Sequence, residues 1–127
     1  MRMNEPGYTV VELDMLALVS RTQVMEGNVY FFVKTQNPRP SFHLDMTDDE
    51  RAIMQRHVIY WSEKATQGIA IVFGPVMDPN GVYGIGIYQV ADEAEMRALL
   101  QADPANGLLH YDLFPMARAV VGTTSKP

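Results

Sequence analysis

One histidine stands where a leucine would pack at less cost. His57 lies in the run TDDERAIMQRHVIYWSEKATQGIAIVFGPVMDP, four residues after Ile53 and four before Trp61. On a helix that spacing puts it on the same side as both apolar neighbours. An imidazole takes and returns a proton near neutral pH, so the side chain is of the right type for general acid-base work. The plainer reading is a core histidine with its ring satisfied. Either reading needs a partner, because burying a polar ring without one costs about 1–3 kcal/mol.

The other reactive types form no constellation. His43, His57 and His110 lack short ligand spacing, so no metal is expected. Ser41, Ser62 and Ser125 have no nucleophile-elbow context. Gly81, Gly84 and Gly86 fall in a turn and a strand, not before a helix, so no phosphate loop or dinucleotide cofactor is implied. No cofactor is expected at all. The chain holds no cysteine, which removes disulfides, thiolate zinc sites and cysteine nucleophiles.

The helix that carries His57 has clear punctuation. Thr47 and Glu50 fit a capping box, and Asp48 and Asp49 put negative charge where the macrodipole favours it. Ile53, Met54, Val58, Trp61 and Ala65 recur at helical spacing. Gly68 supplies the stop, so a helix is expected over residues 48–67.

At 127 residues and 47% hydrophobic, the chain is one domain with enough apolar mass for a core. Its net charge of -5 argues against nucleic acid or an anionic membrane as the main partner, because both reward lysine and arginine. No stretch approaches ~20 apolar residues, and the apolar run near Val10 is broken by Glu12 and Asp14, unlike a signal peptide. A cytoplasmic protein is the expectation.

The flanking elements read in order. Residues 1–27 form an N-terminal extension whose segment 10–21 fits a helix, with strand alternation an open alternative. Residues 28–35, NVYFFVKT, read as a first strand with apolar residues on both faces. Asn37-Pro38-Arg39-Pro40 ends it, and a loop to Met46 holds Phe42, His43 and Asp45. After the long helix comes a second strand over residues 69–73, closed by Gly74-Pro75, then a turn at Asp78-Pro79-Asn80-Gly81. A third strand spans residues 82–90. Its Gly84 and Gly86 leave one face bare, which suggests close approach by another backbone or a ligand. Asp92 opens a second helix with Glu95 at the capping-box position and Met96, Leu99 and Leu100 inward. It ends by Asp103-Pro104. A fourth strand covers residues 109–115, with continuation to 121 possible, and residues 122–127 are a frayed tail.

The resulting order is β-α-β-β-α-β, the ferredoxin-like α+β sandwich, with the domain over residues 28–121. Both helices would cover one face of the sheet. Strands one and two are apolar on both faces, so the second face also needs cover. A second copy of the chain would supply it as a dimeric α+β barrel; the N-terminal extension is the alternative.

Taken together, DMTDDERAIMQRHVIYW, the glycine stop, FGPVMDPNG, the acidic second helix and QADP resemble the YCII-related (YciI-like) proteins. The similarity covers residues 28–116. It implies a ferredoxin-like protomer in a homodimeric α+β barrel, with a His-Asp dyad in a cleft. His57 matches the histidine, and Asp103 the aspartate of the Asp-Pro. Gly74 and Pro75 match a Gly-Pro lining the same cleft. Asp78 and Tyr60 are further candidates for substrate binding, with plainer readings as a turn former and a core residue. For Asp103 the plainer reading is a helix stop. Two departures bear on pocket shape: Ala105 stands where the family usually has a large aromatic, and Pro115-Met116 where it usually has Pro-Trp. The chemistry implied is lyase-like, isomerase-like or dehydrochlorinase-like proton transfer on a small cyclic or aromatic compound, without metal. A non-catalytic dimeric module that binds a small hydrophobic molecule needs only the pocket, and a structural subunit of a larger assembly needs neither.

Overall fold

A computed structural model describes residues 28–123. Residues 1–27, including the extension's candidate helix, and residues 124–127 of the tail lie outside the described part. Residues Val29–Met116 form one compact unit. Its elements are β1 (Val29–Gln36), α1 (Phe42–Asp45), α2 (Asp48–Thr66), β2 (Ala70–Val76), β3 (Tyr83–Val90), α3 (Glu93–Gln101) and β4 (His110–Met116). Apart from the short α1, this is the expected β-α-β-β-α-β order of a ferredoxin-like α+β domain.

The start of α2 is built as its sequence dictates. The Glu50 amide donates to the Thr47 hydroxyl at 3.1 Å, and the Thr47 amide donates to the Glu50 carboxylate at 2.9 Å. The helix stops at Gly68, whose φ of +82° is cheap only for glycine. At α3 the Asp92 carboxylate accepts from the Glu95 amide, while Glu95 reaches past the cap to the Ala91 amide.

The sheet order is β2-β3-β1-β4, every pair antiparallel. Register assigns the faces. Phe31, Val33 and Thr35 of β1 share a face with Gly84, Gly86 and Tyr88 of β3, with Phe73 and Pro75 of β2, and with Tyr111 and Leu113 of β4. Trp61 of α2 and Met96 and Leu100 of α3 pack on that face, completing the core with Phe31, Val33, Ala70, Tyr88 and Val90. The opposite face carries Tyr30, Phe32, Val72, Ile85, Ile87 and Phe114. Val72 and Phe114 there are about half exposed, at 49% and 50%.

A second, smaller core lies at the other end of α2. Phe42, Ala105 and Leu109 are buried together, flanked by Met46, Ile53, Met54, Leu108 and Tyr111. Phe42 is delivered by α1, a helical turn within what reads from sequence as a loop. Arg39 holds that segment: it donates to both Glu50 oxygens at 2.8 and 2.9 Å and to the Asp45 carboxylate at 2.9 Å. The Arg39 hydrogen bonds, with that of the Thr47 amide, pull the Glu50 carboxyl down to about 2.

Four expectations need correction. The buried side of α2 does not include Val58 or Ala65, which are exposed; it runs through Ile53, Met54, His57, Tyr60 and Trp61. The face is rotated because the helix meets polar partners at His57. β2 does not close at Gly74-Pro75 but continues to Val76, because an outer strand tolerates a residue that cannot donate. β4 ends at Met116, and residues 117–123 carry no regular structure. The bare face of β3 is met by the chain's own side chains. A Cβ added at Gly86 would fall on the Tyr88 hydroxyl, and one at Gly84 on the Thr35 hydroxyl.

Thr47→Ala removes one half of the capping box and leaves the Glu50 amide unpaired. Urea unfolding should show a loss of about 1 kcal/mol with an unchanged slope against denaturant.

Candidate functional site

Asp103 is the single buried charged residue among those described, at 3% exposure. It follows the last turn of α3, whose C-cap is Ala102, and opens a tight turn in which the Asn106 amide donates to the Asp103 carbonyl at 2.9 Å. The residue before proline avoids helical geometry, so the helix ends here and the carboxylate turns inward. An ionised carboxylate offers acceptors only, and removing it from water without donors is prohibitive.

Four donors meet it. The Ala105 amide donates to Oδ1 at 2.9 Å, an aspartate folded onto its own chain two residues on. Trp61 Nε1 donates to Oδ2 at 2.7 Å, and the Tyr111 hydroxyl to the same oxygen at 2.7 Å. His57 Nδ1 lies 2.9 Å from both oxygens. The donors come from α2, β4 and the turn itself, so the carboxylate ties three parts of the unit together. Burial alone would raise its pKa. The hydrogen bonds from His57, the Ala105 amide, Tyr111 and Trp61 outweigh that and hold it below the usual carboxylate range. Tyr111 responds in the opposite sense: burial first, then its bond to the carboxylate and the nearby charge, push its phenol well above the ordinary value.

This arrangement fixes the imidazole. Facing an ionised carboxylate, Nδ1 must carry the proton. In the neutral ring Nε2 then holds the lone pair. No side chain or backbone group among the described residues bonds Nε2. The ring is 14% exposed, so one edge reaches toward solvent. A ring oriented by a carboxylate on one nitrogen and open on the other can accept a proton and return it. The plainer possibility, a polar cluster that only locks elements together, uses the same contacts.

The remaining residues singled out in the sequence are placed as follows. The Tyr60 hydroxyl donates to the Leu99 carbonyl at 2.6 Å, tying α2 to α3, and its ring packs edge-on against Trp61. Pro75 shares the helix-side face with Gly84, whereas Gly74 pairs with Ile85 on the other. Asp78 accepts from the Asn80 amide at 2.9 Å through its side chain and from Gly81 at 2.9 Å through its carbonyl. Ala105 is fully buried beside Phe42 and Leu109. An open groove of about 540 Å³ lies between α3 and β4, lined by Arg97, Gln101, Asn106, His110 and Leu113 among others; neither His57 nor Asp103 lines it.

Two members of the cluster escape sequence reading. Trp61 reads as an apolar helix residue, although its spacing from His57 and the need of a buried indole for an acceptor are a usable signal. Tyr111 carries no such signal, because only strand pairing brings its hydroxyl to the turn.

Asp103→Ala should cost about 3–5 kcal/mol in chemical denaturation, since four donors lose their acceptor together. The folded-state pKa of Asp103 lies below its unfolded value, so its stabilisation is present above about pH 4 and is lost as pH falls through the folded value. Wild-type stability should therefore decline on acidification in that range, and Asp103→Asn should flatten the decline.

The YCII-related domain family matches residues 30–116, which spans both long helices and all of the sheet but its first residue. A comparison with curated proteins gives no match. The matched span contains His57, Asp103, Trp61 and Tyr111 alike, and the chain belongs to the YCII-related domain family.

Proposed function

We propose that the protein is a small acid-base enzyme of lyase, isomerase or dehydrochlorinase type, acting on a small cyclic or aromatic compound. His57 is the proton carrier and Asp103 holds it. The observation that carries this reading is the pairing of His57 Nδ1 with both Asp103 oxygens at 2.9 Å, with no partner for Nε2 among the described residues. One oriented general base contributes roughly 10²–10⁴-fold, enough for abstraction of an acidic carbon-bound proton. In this reading Gly74, Pro75, Asp78 and Tyr60 are the expected surroundings of the substrate.

The test compares wild type with His57→Gln, whose amide still donates to Asp103. Turnover, measured by solvent-proton exchange on cyclic substrates, should fall at least ~100-fold while the melting temperature changes little. Equal turnover in the variant removes His57 from the chemistry. A ligand bound equally by both proteins and turned over by neither favours the alternative, a non-catalytic small-molecule binding module.

The same proposal includes a homodimer. It is supported by the apolar residues on the sheet face away from the helices, where Phe32 and Phe114 lie with ring centroids 6.1 Å apart and Phe114 is half exposed. Light scattering on a size-exclusion column should give twice the 14.3 kDa chain mass at micromolar concentration. A 14.3 kDa species under those conditions removes the barrel from the proposal.

Among the described residues no helix is long and apolar enough to cross a membrane.

A further inference from the structure

The groove between α3 and β4 is set apart from the dyad, and it has an apolar floor. Leu100 and Leu109 are buried there, and Leu108, Tyr111 and Leu113 are half-buried beside them. Register puts Tyr111 and Leu113 on the helix-side face of β4, so both look toward α3. The floor is already formed in the free chain: the Tyr111 hydroxyl donates to Asp103 at 2.7 Å, which fixes the ring. At about 540 Å³ the groove falls within the range of small-molecule sites. A Cβ added at Gly107, on its lining, would meet nothing within 4 Å, so that end is open.

Its polar rim carries charge of one sign. No aspartate or glutamate lines it, although the chain has 15 acidic residues against 10 basic ones. His110 lines it too, but register turns its imidazole to the opposite face, where Nε2 meets Asp112 at 3.1 Å. Arg97 is therefore the charge at the groove. Its Nε donates to Glu93 at 2.8 Å and its Nη2 lies 2.8 Å from the same oxygen, while Nη1 has no partner among the described residues. The Glu93 pair is exposed at both ends, and such pairs hold weakly. One helical turn on, the Gln101 side-chain amide also has no partner among the described residues. The carbonyl end of α3 is closed off. The Ala98, Leu99, Leu100 and Gln101 carbonyls accept from the Ala102 amide, the Tyr60 hydroxyl, the Asp103 amide and the Asn106 side chain in turn.

We propose that this groove binds a small monocarboxylate with an apolar body, its carboxylate on Arg97 and Gln101 and its hydrocarbon on Leu108, Tyr111 and Leu113. The site is independent of the acid-base reading, because neither His57 nor Asp103 lines it. A guanidinium offers paired donors that match the two oxygens of a carboxylate. A single guanidinium with one amide suits one negative charge; a dianion in a chain of net charge -5 would need more. The leucines and the tyrosine ring then ask for a hydrocarbon body of several carbons, since burying apolar area is what they have to offer.

Acetate, hexanoate and benzoate, with hexanamide and benzamide as uncharged controls, are titrated into the full chain and followed by amide NMR shifts. Hexanoate or benzoate should bind about fivefold more tightly than its own amide, the worth of one net hydrogen bond, and about fivefold more tightly than acetate. The shifts should centre on Leu100, Gly107, Leu108 and Leu113. Arg97→Met should erase the preference for acid over amide without lowering the melting temperature. Glu93→Gln, which frees the guanidinium, should tighten binding about twofold. Equal binding of acid and amide in wild type overturns the proposal, as does a preference that survives in Arg97→Met or a looser complex in Glu93→Gln. Acetate held as tightly as hexanoate means surface ion pairing only, and shifts centred on His57 mean a ligand of the dyad; either result overturns it too. Groove shifts that follow protein concentration and ignore added acid give the groove to a second copy of the chain, and the proposal fails.

Discussion

The need of one buried carboxylate for donors organises this unit. Asp103 at 3% exposure cannot remain ionised without replacing its lost water. The turn supplies one donor from its own backbone, α2 supplies two, and β4 supplies one. Each constrains an element. Trp61 and His57 fix the rotation of α2 about its axis, which is why Val58 faces solvent although it fits the apolar periodicity. Tyr111 fixes the turn against the sheet. The main core on one side and the Phe42–Ala105–Leu109 cluster on the other then close around the same group.

Much of the frame was legible in the chain because local rules and global fold agree. Thr47, Glu50 and Gly68 bound α2 by chemistry that acts within a few residues. The alternation in β1 and the stop at Asp103-Pro104 are equally local. The pairing of His57 with Asp103 is legible only through family resemblance, because a contact across 46 positions leaves no mark in spacing. Tyr111 shows the same limit more sharply: nothing near it in sequence differs from an ordinary strand residue. Phe42 carries no anchor signal in the sequence, because its short helix is held by Arg39, Asp45 and Glu50 and not by any periodicity of its own.

The glycines of β3 illustrate how a correct inference about space can name the wrong occupant. Gly84 and Gly86 do mark close approach, as glycine in a strand suggests. What approaches is the Thr35 hydroxyl and the Tyr88 phenol, each leaning into the gap where a Cβ would be. Space made by omission in one strand is taken up by side chains from the same sheet, and those side chains bring oxygen to an otherwise hydrocarbon surface.

The prolines of the outer strands have a consequence for how the sheet meets other chains. β2 and β4 are the two ends of the sheet order, and each contains a proline, Pro75 and Pro115. A strand that added to either side would find one donor missing from the ladder. Ribbon growth by repeated strand addition therefore meets a defect at both margins, which works against fibrous aggregation of a β-rich unit with apolar residues on its second face.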